Sequence, residues 1–336
     1  MSKRKQSQIA LSIEVGDALQ FKADVLALKY AQAFYGVDEA VALRLSVEYD
    51  DLVSLLPKIS GFRLLLSKDA IAANSVLFVG VKPLRQFGYQ EIREFGRKVL
   101  ISLAGAAPKT SHLCLTIHGP GYGLDETEAF ESEIAGLLDA IKSGDFPEEL
   151  QRITIIERNV ARADRLSEVL TRLLPNGLVE VDRAGEIIEL GDKATERLRY
   201  VGYASESKRH IFVAMPFADE MDDIFHYGIQ GAVHAAGFLC ERADLSTFTG
   251  DVMEWVKKRI TSSALVIADL STANPNVYLE VGFAWGCGRP TVLLCRDVAE
   301  LKFDVKSQRC LQYKKIQDLE EVLRKELETL RNNLAN

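Results

Sequence analysis

The chain has 336 residues, 47% of them hydrophobic and 26% charged, with a formal net charge of -7. That length carries two domains of ordinary size with real cores. No apolar run approaches the roughly 20 residues of a membrane span, and the acidic balance offers no general attraction to nucleic acid or to an anionic membrane.

The amino terminus, MSKRKQSQ, lacks the apolar segment of a signal peptide, so a cytoplasmic protein is expected. From Ile9, the text IALSIEVGDALQFKADVLALKY reads as two strands joined at Gly16-Asp17. Helical signals follow at Val37 to Leu45, then strands at Phe62 to Ser67 and Val76 to Val79. A longer helix is expected at Tyr89 to Ala104, a strand at His112 to Ile117 and a helix at Glu126 to Ile141. A strand at Ile153 to Glu157 and a helix at Ala163 to Leu174 complete the series. Alternation of this kind predicts a three-layer α/β/α domain over residues 1–175. Between strand and helix, His118 to Phe130 reads HGPGYGLDETEAF. Its three glycines either let backbone amides approach a phosphate or simply supply positive φ in a turn.

This order of elements resembles a macro domain, the fold best known for binding ADP-ribose. Gly16-Asp17, Ala23-Asp24-Val25, Gly36-Val37-Asp38 and His118 to Gly123 fall where that family has its GD turn, its second strand, its first ligand loop and its glycine-rich phosphate loop. The resemblance implies an ADP-ribose-like nucleotide held by Asp17, Gly119, Gly121, Tyr122 and Gly123. The sequence departs at Lys29, Tyr30, Ala31 and Gln32, where the family has an asparagine-rich strand end, and at Tyr35-Gly36, where it has a run of glycines. Nucleotide binding is therefore expected without de-ADP-ribosylation chemistry.

After Leu174, two β-like runs around Asp182-Arg183-Ala184-Gly185 read as a hairpin, and a polar segment reaches Arg209; residues 176–209 are read as linker. A second domain, 210–336, opens with the buried strand IFVAMPF. Asp219, Glu220, Asp222 and Asp223 crowd the first turn of the next helix, where the dipole favours acids. Strands are expected near 211, 238, 265, 290 and 310 with helices between them, giving a parallel, flavodoxin-like sheet. In the last helix Leu319, Val322, Leu323, Leu327, Leu330 and Leu334 form one stripe, for the core or for a partner subunit. Five scattered cysteines and five histidines show no metal-ligand spacing, so reduced, packing thiols and no metal are expected.

Residues 265–294, LVIADLSTANPNVYLEVGFAWGCGRPTVLL, read as strand, loop, helix and strand. Asn274 is a good N-cap and Pro275 suits the first helical position. Glu280 is the only charge in an otherwise apolar helix, which predicts a buried helix and a carboxylate with either a dedicated partner or a task. Arg242 and Arg289 are the candidate partners.

The segment resembles the superfamily of nucleoside 2-deoxyribosyltransferases and TIR-like domains. The matching residues are Asp269, Leu270, Asn274, Pro275, Asn276, Val277, Glu280, Gly282, Ala284 and Pro290. In that superfamily the helix glutamate acts at the anomeric carbon of a nucleoside or of NAD. The resemblance implies Glu280 as nucleophile or electrostatic stabiliser, with Asn276 and Asp269 beside it. Met215, Pro216, Phe217, Asp244, Asp251 and Ser271 then contact substrate, and a homo-oligomer is expected. Fusion with a macro-like domain resembles bacterial antiphage effectors in which a sensed nucleotide controls NAD cleavage. Two other outcomes stay open: a non-catalytic nucleotide sensor, and a deoxyribosyltransferase or deoxynucleotide hydrolase of salvage. None of these requires a resident cofactor.

Overall fold

A computed structural model describes residues 7–181, 192–216, 218–242, 252–302, 305 and 308–334. The chain is mixed α/β and divides into two compact units, one of residues 1–120 and 126–206, the other of residues 121–125 and 207–336. No helix among the described residues is long and apolar enough to cross a membrane.

In chain order the first unit holds β1 (Ser7–Val15), β2 (Val25–Tyr30), α1 (Val37–Leu45), α2 (Leu52–Leu55), β3 (Phe62–Leu66), β4 (Ser75–Gly80) and α3 (Tyr89–Ala106). It continues with β5 (His112–Leu115), α4 (Glu126–Lys142), β6 (Arg152–Glu157), α5 (Val160–Leu173), β7 (Leu178–Val181) and α6 (Asp192–Tyr200). Its sheet runs β3-β4-β2-β5-β6-β1-β7, with a parallel centre and antiparallel strands β3 and β7 at the edges. Inner strands such as β4, SVLFVG, are buried at every position, as strands covered on both faces must be. The edge strand β3, FRLLL, is mostly exposed.

Several boundaries differ from the sequence reading. Helix α5 starts at Val160 rather than at Ala163 because Asn159 Oδ1 accepts the Arg162 amide at 2.9 Å and caps the helix. The first arm of the expected hairpin is β7, paired antiparallel with β1; its turn and second arm lie outside the described residues. Within the segment read as polar linker, residues 192–200 form α6. That helix is held by Arg93, whose Nη1 donates to the carbonyls of Leu198 and Val201 at 2.8 and 2.6 Å.

The second unit contains β8 (His210–Ala214), α7 (Asp219–Asp223), π-helical turns at Ile224–Gln230, α8 (Gly231–Ala235), β9 (Leu239–Glu241) and α9 (Val252–Ser262). It ends with β10 (Leu265–Asp269), α10 (Pro275–Gly286), β11 (Thr291–Cys295), β12 (Cys310–Gln312) and α11 (Ile316–Leu334). All pairings in its sheet, ordered β12-β11-β10-β8-β9, are parallel. Alternate residues of β8 serve opposite faces. Ile211 and Val213 join a core with Phe225, Val233, Leu319, Leu323 and Leu327, while Phe212 and Ala214 join one with Trp255, Val277 and Val281. The stripe of α11 thus packs inward at those three leucines, and Val322 stays partly exposed.

Helices α3 and α4 cross where both are narrow. A Cβ on Gly136 would meet the Arg93 carbonyl at 1.9 Å, and one on Gly96 the Glu133 carbonyl at 2.6 Å. Alanine normally stabilises a helix interior by ~1 kcal/mol over glycine. At Gly105, in the last turn of α3, a Cβ meets nothing within 4 Å, and Gly105→Ala is expected to gain up to about half of that. Gly136→Ala is expected to lose about 1–3 kcal/mol through overpacking. Urea unfolding of the two variants checks the opposite signs.

Candidate functional site

In an open parallel sheet ligands bind beyond the carboxyl ends of the strands, where the strand order reverses. Numbered within the second unit, the order here is 2-1-3-4-5 and the reversal lies between β8 and β10. Met215 and Pro216 follow β8; Asp269, Leu270 and Ser271 end or follow β10. The loop into α10 is tightly drawn. Ala273 takes φ 50°, a left-handed conformation costly to a residue with a Cβ. Asn274 Oδ1 then accepts the Asn276 amide at 2.9 Å, and Pro275 opens the helix without losing a donor.

Glu280 lies on the stripe of α10 that also carries Val277, Val281 and Ala284, the part of the helix that is buried. It is 8% exposed. Burial pushes its carboxyl up to about 7. Neither candidate arginine pairs with it: Arg242 Nη2 binds Asp222 at 2.8 Å and its guanidinium lies over Phe225, while Arg289 Nη1 binds the Ser263 carbonyl at 3.1 Å. Ten of the eleven buried carboxyl groups among the described residues have a hydrogen-bond or ion-pair partner, and Glu280 is the exception. Unlike Asp38 Oδ1 or Glu133 Oε1, its oxygens are not fully enclosed.

The other expected residues sit differently. Asn276 is exposed in the first turn of α10, one turn before the buried Glu280. Nor is α10 buried all round, because Leu279 is 56% exposed and Trp285 39%. A Cβ on Gly282 would meet open space.

Asp269 is wholly buried, with both oxygens engaged: Oδ1 accepts the Ser271 amide at 2.9 Å and Oδ2 the Tyr313 hydroxyl at 2.6 Å. Burial raises the Tyr313 pKa, so that hydroxyl remains a donor. Ser271 Oγ in turn accepts the Arg296 amide at 3.1 Å. Asp269 therefore fixes the β10 turn, the capping role open to an aspartate at a strand end, while its bond to Tyr313, 44 positions away, has no local sequence signal. Met215 is a core residue, its sulfur 3.8 Å from Arg242 Nη1. Phe217, Asp244 and Asp251 lie outside the described residues.

In the first unit, Asp17 follows β1. Its Oδ1 accepts from Arg158 at 2.7 Å and from the Leu19 amide at 3.0 Å, and these bonds hold its pKa down. Asp24 accepts the Ser111 and His112 amides and so ties β2 to β5. Lys29, one of the departures at the end of β2, is buried and pairs with Asp38 of α1 at 2.5 Å. Gly119, at φ 114°, is buried beside His118, whose amide donates to Glu133 Oε2 at 3.2 Å. Gly121, Tyr122 and Gly123 belong to the second unit. Tyr122 is buried, and at Gly123, φ 93°, a Cβ would strike the Trp255 ring at 2.4 Å. Gly123 thus combines a positive φ with the close approach of an indole ring. No cluster of three metal-ligating side chains is found among the described residues.

No family model and no curated protein matches the chain. Among solved structures it is similar to the Oceanobacillus iheyensis macrodomain with MES bound, at 13% identity and a TM-score of 0.37, covering 51% of this chain and 99% of that one. It is similar to the Trypanosoma brucei macrodomain in complex with ADP, at 15% identity and TM-score 0.40, covering 48% and 68%. It is also similar to a mutant of the Oceanobacillus iheyensis macrodomain with ADPR, at 13% identity and a TM-score of 0.36, covering 51% of this chain and 100% of that one.

The unpartnered Glu280 has a thermodynamic signature. The folded state holds its proton more tightly than an unfolded carboxyl with a pKa of 4.5. Stability therefore falls as pH rises from the lower value to about 7 and stays lowered above it. Glu280→Gln is expected to match the parent at about pH 4 and to exceed it by up to about 3 kcal/mol at about pH 8. Denaturant unfolding across that range checks the sign.

Proposed function

We propose that the second unit cleaves the N-glycosidic bond of NAD or a related nucleotide, and that an ADP-ribose-like ligand of the macro-like first unit controls it, as in bacterial antiphage effectors. The observation that carries this reading is Glu280, the buried carboxyl without a partner. The flavodoxin-like, TIR-like character of the second unit rests on its strand order together with the Asn274-Pro275-Asn276 to Gly282 motif. The macro-like character of the first rests on the Gly16-Asp17 turn and the loop after β5.

The chemistry follows from the carboxyl's surroundings. Heterolysis of the bond between C1 of the ribose and the base sends the bonding pair to the leaving nitrogen and leaves oxocarbenium character at C1. An ionised Glu280 in low dielectric stabilises that charge or captures it covalently; water then adds at C1 and releases a proton. Asp269, with the Ser271 amide and Tyr313, keeps the β10 turn in place, and exposed Asn276 meets substrate at the mouth. NAD has a cationic leaving ring, which favours the ionised carboxyl as it binds. A second reading, nucleotide binding without turnover, is favoured by the full internal engagement of Asp269.

Full-length protein incubated with NAD, alone and with ADP-ribose, is expected to release nicotinamide, and Glu280→Gln to release at least about a hundredfold less. For the free enzyme, kcat/KM is expected to fall about tenfold per pH unit below about 7, where Glu280 takes up its proton. Chromatography of the products decides the matter. No nicotinamide in any mixture, or equal release by the variant, removes the enzymatic reading; calorimetric binding of NAD or ADP-ribose without turnover then selects the sensor.

A further inference from the structure

A cleft of about 300 Å³ opens at the edge of the first unit's sheet, and none of its lining residues belongs to the loop after β5 or to the Asp17 turn. Its apolar lining comes from Val79 of β4, Val81 just after it, and Phe95 and Ile101 of α3, of which Ile101 is the most exposed. The far wall is built by close backbone approach. The Ser60 amide donates to the Gly80 carbonyl at 2.8 Å, and a Cβ on Gly80 would strike the Lys58 carbonyl at 2.0 Å. Tyr203 supplies an aromatic side. It is 50% exposed, yet its ring is held 4.4 Å from the guanidinium of Arg93. Arg93 is itself buried and clamped by Asp139 at 2.7 and 2.9 Å.

The charges around this cleft are unevenly spent. Lys82 Nζ donates to Glu91 at 2.6 Å, and Glu91 also accepts the Gly88 amide at 3.0 Å. Glu94 accepts from Gln90 at 2.9 Å. Arg97 and Lys98 line the same cleft, and neither has an acidic partner among the described residues. They are set against one carboxylate without a cationic partner among those residues, Glu94. The cleft thus keeps a net positive charge beside its apolar lining and fixed ring, which matches a ligand with one acidic group and one flat apolar body. The volume lies at the lower end of the ~300–1,000 Å³ typical of ligand pockets, which favours a small molecule over a dinucleotide.

We propose that this cleft binds a small planar organic anion, its acid group met by Arg97 and Lys98 and its ring laid on Ile101 beside Tyr203. The proposal is independent of the glycosidic reading, since it uses no residue of the second unit. The probe is anilinonaphthalene sulfonate, titrated calorimetrically into full-length protein, with uncharged phenylnaphthylamine as the control. One sulfonate per chain is expected to bind saturably, whether or not the protein is first saturated with ADP-ribose. Loss of two charge-assisted hydrogen bonds in Arg97→Glu/Lys98→Glu is expected to weaken it at least about tenfold, and Lys98→Gln alone about threefold. The neutral probe should change little in either variant. Arg97 is exposed and Lys98 partly so, so the thermal midpoint should stay near that of the parent. Absence of saturable binding, equal affinity in the double variant, or competitive displacement by ADP-ribose overturns the assignment.

Discussion

An ionised group taken out of water must find a compensating partner or surrender its charge. Within the described residues the chain follows the first course at nearly every buried acid and the second at Glu280. The difference lies in the neighbours. Helix α10 brings only Val277, Val281 and Ala284 to the buried stripe around that carboxyl, while Asn276 stands in the exposed first turn and the Tyr278 hydroxyl is engaged by the Lys302 amide. A carboxyl in such a place is stable chiefly when neutral, so its pKa moves toward the working pH of the cell. Packing, protonation and the proposed chemistry are one constraint seen at three levels.

The first unit shows what compensation does for architecture. Glu126, Glu128, Glu131 and Glu133 are all buried along the first half of α4. Arg162 and Arg165 of α5 answer Glu126, Arg197 of α6 answers Glu131, Ser205 answers Glu128, and the His118 amide answers Glu133. These acids fix where α5, the segment around α6 and the loop after β5 can dock. Removing a partner would strand a charge instead of merely losing a contact, and for such pairs the cost is about 3–5 kcal/mol. Arg93 performs the same service from α3, joining Asp139 to the carbonyls that end α6.

Strands were legible in the sequence because inner parallel strands are short continuous apolar runs, as in VLALKY and LVIAD. The start of α10 was legible because Asn274 and Pro275 are a local signal that tertiary packing did not override. What escaped is what depends on partners distant in sequence. The polar text of α6 has only a short apolar stripe, Ala194 and the buried Leu198, to announce a helix, and its place is held by Arg93, 105 to 108 positions away. Spacing of i and i+4 put Asn276 and Glu280 on neighbouring turns, but could not say that the helix enters the core between them. The buried pair Lys29 and Asp38 was equally silent: the lysine registered only as a departure from an asparagine-rich strand end. The cleft beside β4 gathers side chains from residues 59 to 203, which no local pattern connects.

On the proposed reading, the same desolvation that lowers stability sets substrate preference. A neutral carboxyl at rest offers little to an uncharged nucleoside, and such a ligand further excludes water and strengthens the preference for the proton. A nucleotide whose leaving ring is already cationic acts in the opposite direction, because ionising Glu280 then forms an ion pair in low dielectric. The carboxylate appears as the oxocarbenium charge is about to develop, and its attraction grows along the reaction coordinate. Interactions that strengthen toward the transition state are those that raise kcat. An arginine placed beside Glu280 would hold it ionised throughout and stabilise the resting protein, but would also neutralise the field that the departing base requires.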